Sequence, residues 1–284
     1  DTPNFTEFGI EPKDIDDGTW QEKITGPLPY PDLVTPSWVA KRHKRWGKES
    51  ARYIGRVLGR FPRTSPDSLV PEAWFDEALK RYKEDPEFWE EQARKSDWQF
   101  GLDVGDGKDP HMLSAVRGPV LKWMEMRPTH GDRHDDQRAV TMASEPARET
   151  GGRVKVDKIG VGAGVWRTLA RMEDVLCEPV NFGSTQDVHD PERFVNVKAE
   201  AFWNLREKFK KGEIAIAPLP PEMERRLREE LATIRYEYTS SYKIKIEKKD
   251  KTRKRLGRST DAADSLAYAY IDTGLTDSIR VIRR

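Results

Sequence analysis

Asp103 lies between Leu102 and Val104 in the run Trp98-Gln99-Phe100-Gly101-Leu102-Asp103-Val104-Gly105, which alternates as a strand does. Asp is disfavoured inside strands, because its short carboxylate competes with the backbone for hydrogen bonds. Asp157 ends a second apolar stretch, Val154-Lys155-Val156. Asp261 and Asp264 are three apart within Ser259 to Tyr270, a spacing that puts both on one face of a helix. Ala262, Ala263, Leu266, Ala267 and Tyr270 suit close packing of that helix on a sheet, which would turn the face inward. Taken singly, an acid in a chain with 49 of them reads as a cap, a turn residue or a solvated side chain. Asp261 fits the first turn of a helix entered at Ser259, where acids are favoured. Asp264 lies deeper, and capping explains it less well. Taken together, carboxylates gathered at strand ends would repel one another unless a divalent cation neutralised them. Hard oxygen ligands without Cys suit Mg²⁺ or Mn²⁺. Two such ions about 3.5–4 Å apart can cleave a phosphodiester, one activating water and the other stabilising the leaving oxygen.

Basic residues gather just before this helix. Lys243, Lys245, Lys248, Lys249, Lys251, Arg253, Lys254, Arg255 and Arg258 fall in one short span. Lys243 and Lys245 share a strand face and the others read as a flexible basic loop, a track suited to a DNA phosphate backbone. The plain alternative is a solvated edge strand protected by Lys. Gly160-Val161-Gly162-Ala163-Gly164 follows the Asp157 strand, with Glu178 at the next one. A dinucleotide fingerprint would need its third glycine where Val165 stands, so a tight turn and close helix–sheet approach is the simpler reading. No G-x-x-x-x-G-K-[ST] sequence occurs, which excludes a phosphate-binding-loop ATPase in this chain. His130 and His134 lie in a polar stretch with Asp132, Asp135 and Asp136 that reads as a solvated loop.

Elements to position the acids follow from the pattern. Strands are expected over Trp98 to Gly105, Met112 to Val116, Pro119 to Met126, Val154 to Asp157, Val175 to Phe182 and Glu213 to Pro218. Helices are expected from Val165 to Met172, Phe194 to Phe209, Pro221 to Ala232 and Ser259 to Tyr270, with a basic hairpin over 234–247. A meander followed by strand–helix alternation implies a mixed α/β sheet. Upstream, residues 1–37 read as an extended Pro-rich connector. One basic helix from Pro36 to near Gly59, broken by Arg60-Phe61-Pro62, and helices over Pro71 to Tyr82 and Pro86 to Ala93 follow. Residues 1–97 are therefore expected to be an arm and 98–284 the chemical domain. The 284 residues carry 50 basic and 49 acidic side chains, so net charge does not identify a partner. Nine Trp, ten Phe and eight Tyr supply a core that a disordered chain would lack. No apolar run approaches the ~20 residues that span a bilayer, and the single Cys177 excludes a disulfide framework or Cys-based zinc site. A cytoplasmic protein is the default expectation. Beginning at Asp1 without an initiator Met, the sequence reads as a fragment.

The ordered segments Gly101–Gly105, Val156–Val165, Phe194-Val195-Asn196-Val197-Lys198-Ala199-Glu200 and Arg258-Ser259-Thr260-Asp261-Ala262-Ala263-Asp264-Ser265-Leu266 resemble the nuclease half of tailed-phage terminase large subunits. Pro3-Asn4-Phe5-Thr6, Val34 to Val39 and Arg56 to Pro62 resemble the stretch joining that nuclease to a packaging ATPase. The resemblance implies an RNase H-like fold and metal-dependent cleavage of double-stranded DNA during genome packaging in an infected bacterial cell. It implies two Mg²⁺ or Mn²⁺ ions, with Asp103 as the shared ligand, Asp157 as the second, Asp264 as the helix-borne acid and Asp261 as an auxiliary position. It also implies the packaging ATPase domain, the small terminase subunit and the portal as partners. Thr260 stands where the family has Pro, which bears on helix entry more than on chemistry. The missing ATP-binding loop implies truncation or a separately encoded motor. A junction resolvase or transposase of the same fold, and a non-catalytic DNA-clamping or capsid-docking module, are the competing readings.

Overall fold

The computed structural model describes residues 2–48, 51–59, 67–132 and 134–273. They cluster into two units, Asp1–Asp67 and Ser68–Arg284. In the first, α1 (Pro3–Glu7), α2 (Pro12–Asp17), α3 (Pro36–Trp46) and α4 (Ala51–Arg56) accompany a small core of Ile10, Ile15, Val39 and Tyr53. Residues 1–37 are thus not simply extended. Pro3 and Pro12 pre-set φ at the first helical position, and a Glu11–Asp14 capping box closes α2. Fully buried Asn4 donates to the Tyr30 and Val34 carbonyls at 2.8 and 3.1 Å, which folds the Pro-rich stretch back on α1. The expected single basic helix is two, interrupted at Gly47 with φ of +78°. The expected break at Arg60-Phe61-Pro62 lies outside the described residues.

The second unit begins with α5 (Glu72–Glu84) and α6 (Pro86–Arg94), followed by a meander of β1 (Trp98–Asp103), β2 (His111–Arg117) and β3 (Val120–Arg127). Next come α7 (Asp135–Thr150), β4 (Arg153–Asp157), α8 (Gly162–Leu169), β5 (Leu176–Val180), α9 (Val197–Lys211) and β6 (Ala215–Ile216). The chain continues through α10 (Pro221–Thr233), the hairpin β7 (Tyr236–Tyr238) and β8 (Ile244–Ile246), α11 (Lys249–Leu256) and α12 (Asp261–Tyr270). Six strands form one sheet in the order β5-β4-β1-β2-β3-β6. β1, β2 and β3 are antiparallel, whereas β4 runs parallel to β1, β5 to β4 and β6 to β3. This is the mixed α/β sheet that the strand pattern implied. No described helix is long and apolar enough to cross a membrane.

The period-2 alternation of the strands divides the core. Phe100, Leu102, Val154 and Val156 pack on one face against Ala139, Val140, Ala143, Val165 and Leu169 of α7 and α8. Gly101 and Asp103 of β1, and Lys155 and Asp157 of β4, therefore point to the other face, where α12, α9 and α10 pack. A Cβ on Gly101 would meet the Ser265 carbonyl oxygen at 1.9 Å and the Ala269 nitrogen at 2.4 Å. The backbone of α12 thus lies directly on β1, which its small residues Ala262, Ser265 and Ala269 allow. Ser265 Oγ is hydrogen-bonded to Ser114 Oγ of β2 at 2.7 Å.

In the second unit two helices, α7 and α11, were not expected. α7 begins at the end of the polar stretch expected as a solvated loop and runs on through residues 137–150, where no element was expected; it buries Ala139, Val140, Met142, Ala143 and Ala147 despite Pro146 inside it. Its entry is built by Asp135, which accepts from the backbone N–H groups of His130, Gly131 and Asp132 and from Arg138. α11 falls in the expected basic loop and buries only Thr252, so no apolar stripe announced it.

Candidate metal centre

The parallel register of β1 and β4 pairs Leu102 with Val156, so Asp103 and Asp157 stand side by side at adjacent strand ends. α12 brings Asp261 and Asp264 to the same end of the sheet, each almost wholly buried. The four acids that sequence singled out are therefore gathered in one place. Two lysines that the sequence reading did not connect with these acids stand among them. Lys198 of α9 pairs with Asp264 at 2.8 Å. Lys249 of α11 lies 3.2 Å from Asp264 and 3.6 Å from Asp261. Asp261 also accepts from Arg226 of α10 at 3.0 Å, and Thr260 donates to Asp264 at 2.9 Å. Asp157 accepts from the Ile159 N–H at 2.9 Å and faces the Tyr268 hydroxyl at 3.4 Å. Tyr268 is held by stacking on Phe182, with centroids 4.1 Å apart.

The protonation equilibria follow from these neighbours. Burial pushes the Asp103 carboxyl well up; Lys249 opposes this, whereas Asp264 and Asp261 reinforce it. Burial likewise raises Asp157 and Asp261. Burial would raise Asp264 too, but Lys198 and Lys249 outweigh it and hold the carboxyl at about 2. Lys249 is in turn held above its ordinary value, because Asp264, Asp103 and Asp261 outweigh its desolvation.

Among the described residues, no three His, Cys, Asp or Glu side chains are arranged to hold a metal ion as they stand. Lys198, Lys249 and Arg226 form ion pairs with the helix-borne acids. The donor set nevertheless fits a hard divalent cation. All four groups are carboxylates. No described residue donates a hydrogen bond to the Asp103 carboxylate, and exchange of Asp264 from lysine to metal would bring a third ligand.

The basic track divides into committed and uncommitted charges. Arg253 pairs with Asp109 at 2.7 Å, Arg258 with Glu229 at 2.8 Å, Lys245 with Glu237 at 3.5 Å, and Arg255 with Glu247. Lys249 faces the acids. Lys243 beside β8, Lys248 at the N-cap of α11, and Lys251 and Lys254 on α11 form no ion pair among the described residues. The glycine run serves packing: a Cβ on Gly162 would stand 2.5 Å from the Asp157 carbonyl oxygen, and one on Gly164 would stand 2.6 Å from Asp136 Oδ2.

Of the residues given no role in the sequence reading, Tyr268 had a signal there. It lies four residues after Asp264, on the same helical face. Lys198 lies in the segment Phe194–Glu200 that resembles the family, but its residue type alone signals no role. Arg226 had no local signal, because its partner is 35 residues away.

No protein-family profile matches the chain, and no curated protein matches it in sequence. Solved structures do resemble it. A variant nuclease domain of the large terminase subunit gp2 of bacterial virus Sf6, with manganese and beta-thujaplicinol, superposes with a TM-score of 0.60 at 15% identity, covering 72% of this chain and 99% of that one. A calcium-bound gp2 variant domain from the same virus gives 0.59 at 16% identity, and the unaltered gp2 nuclease domain 0.58 at 17%, each covering 72% of this chain and 99% of the other. The superposition over nearly the whole of those domains shows the fold: the chain has the RNase H-like fold of phage large-terminase nuclease domains.

Proposed function

We propose that this chain is a metal-dependent endonuclease that cleaves double-stranded DNA during phage genome packaging. The observation that supports this best is the gathering of Asp103, Asp157, Asp261 and Asp264, from β1, β4 and α12, at one end of the sheet. Asp103, Asp157 and Asp264 would hold Mg²⁺ or Mn²⁺, two ions in the full site, with Asp261 auxiliary. Bound there, the metal would supply an activated water and stabilise the leaving oxygen. The chain's own contribution is placement. β1 and β4 fix two carboxylates at neighbouring positions, and α12 sets the others over them. Tyr268 and the Ile159 N–H orient Asp157. Lys198 and Lys249 keep Asp264 ionised, ready to ligate at neutral pH.

Lys243, Lys245, Lys248, Lys251, Arg253, Lys254, Arg255 and Arg258 lead along β8 and α11 towards the acids and would track the DNA backbone. Lys249, in the same run, would act at the acids instead. Residues 98–284 would form the nuclease domain and 1–97 the connector towards a packaging ATPase, the last part of that connector, α5 and α6, packing in the same unit as the sheet, with the small terminase subunit and portal as partners in the infected cell. The test is plasmid cleavage in Mg²⁺ or Mn²⁺ by the wild type, Asp103→Ala and Asp157→Ala. Cleavage by the wild type alone supports the assignment, and equal cleavage by all three rejects it.

A further inference from the structure

We infer that Glu230 and Lys155 are positioning residues that clamp α12 at its two ends and so hold Asp261 and Asp264 against the strand-borne acids. The role in catalysis rests on the nuclease reading above; the clamp itself does not.

A helix leaves its first N–H groups and its last carbonyls without intrahelical partners. At the start of α12, Thr260 makes no side-chain cap, because its hydroxyl goes to Asp264. An acceptor arrives from another helix instead: Glu230 Oε2, on α10, accepts the Ala263 N–H at 2.9 Å. The other oxygen of Glu230 faces Arg226 Nε at 3.0 Å and Arg258 Nε at 3.6 Å. Arg226 then reaches Asp261 at 3.0 Å. Glu230 therefore touches the α12 backbone directly and the Asp261 side chain through one arginine.

At the far end, Lys155 Nζ donates to the Ala269 carbonyl at 3.3 Å and the Ile271 carbonyl at 2.6 Å. Lys155 lies on β4, two residues before Asp157. The strand that supplies Asp157 thus also holds the end of the helix that supplies Asp264. Hydrophobic packing does not account for either residue. Glu230 is 0% exposed and Lys155 6%, and burying such groups is costly without partners. Burial moves Glu230 up to about 8 and Lys155 down to about 8. Between the two ends, Gly101 lets the helix backbone lie on β1, with no side chain there to key its position along the strand.

The test uses the full chain and four variants: Glu230→Ala, Glu230→Gln, Lys155→Met and Leu227→Ala. Leu227 is fully buried on the same helix as Glu230 and reports stability loss alone. Three quantities are read: the Mn²⁺ midpoint of plasmid cleavage, the melting temperature, and hydrogen exchange of the amides of residues 263–269 without metal. Glu230→Ala and Lys155→Met are expected to raise the midpoint about tenfold or more, as loss of outer-sphere support does, and to speed exchange in α12. Glu230→Gln keeps an oxygen acceptor for Ala263 and should restore both. Leu227→Ala should lower the melting temperature and leave the midpoint unmoved. The inference is overturned if Glu230→Ala and Lys155→Met shift the midpoint no more than Leu227→Ala does, or if Gln fails to rescue. Should the wild type neither cleave DNA nor bind Mn²⁺, the nuclease reading fails by itself. Exchange in α12 then still decides the clamp: faster in Glu230→Ala sustains it, unchanged overturns it.

Discussion

Replacing Gly101 with Ala should separate α12 from β1 and so disperse the acids. The added Cβ would stand 1.9 Å from the Ser265 carbonyl oxygen, 2.4 Å from the Ala269 nitrogen and 3.0 Å from the Ala269 Cα. All three are backbone atoms, so no side chain can swing aside. Reaching even a 3.0 Å contact requires the helix to retreat by 3.0 − 1.9 = 1.1 Å. Overpacking of this kind costs about 1–3 kcal/mol, which at roughly 2–4 °C per kcal/mol lowers the melting temperature by about 2–12 °C. A misplacement near 1 Å at a reacting centre costs about 10²-fold in rate, so cleavage should fall further than stability alone would bring it. The assay is nicking of supercoiled plasmid in Mn²⁺, well below the variant's melting temperature. Gly183→Ala serves as the control, because its Cβ would meet only Asn181 Oδ1 at an ordinary 3.5 Å. Gly101→Ala behaving like that control in both rate and melting would refute the claim that α12 is seated on β1 and places the acids.

Three further outcomes follow from the charges. Lys249→Met removes an ammonium 3.2 Å from Asp264 and 3.6 Å from Asp261 that competes with a metal for both; Mn²⁺ binding without DNA, read by electron paramagnetic resonance, should tighten, and weaker binding would contradict this. For the metal-free protein, the folded state keeps the Glu230 proton up to about 8 against an ordinary 4.5, so stability is lost as pH rises through that window. Raised Asp103, Asp157 and Asp261 act in the same direction; the lowered His111 opposes only below its ordinary 6.5, and the lowered Lys155 opposes only from about 8 upward. Melting should therefore fall by a few degrees from pH 6.5 to pH 8, about 1–2 kcal/mol at up to about 1.4 kcal/mol per pH unit per proton, and Glu230→Gln should flatten the slope. Finally, replacing the unpaired Lys243, Lys248, Lys251 and Lys254 together with Ala should reduce the magnitude of the salt slope of duplex binding by roughly 3–4, at about 0.9 for each phosphate left without its lysine; an unchanged slope would place the DNA elsewhere.

The strands around the acids were legible because each alternates over at least four residues with one apolar face, as Phe100 and Leu102 do against Gly101 and Asp103. Asp103 stood out because its residue type opposes its surroundings, and Asp261 and Asp264 because helical spacing joins them. The parts that escaped either lack an apolar periodicity to announce them or depend on partners far along the chain. α7 is entered through a nest of backbone N–H groups on Asp135 and tolerates Pro146, neither of which an apolar-periodicity reading rewards. α11 has almost no apolar face. The basic helix expected from Pro36 became two because a single positive-φ glycine interrupts a periodic pattern without altering it. Lys198, Arg226 and Glu230 reach the acids or α12 from 66, 35 and 33 residues away, and residue type alone does not reveal such pairings.

The most direct measurement is anomalous diffraction from crystals of the chain soaked in Mn²⁺. The account predicts manganese peaks bounded by the Asp103, Asp157 and Asp264 carboxylates, with Lys249 displaced from Asp264. Ordered manganese bound only at other sites, with the Lys198–Asp264–Lys249 contacts intact, would contradict it.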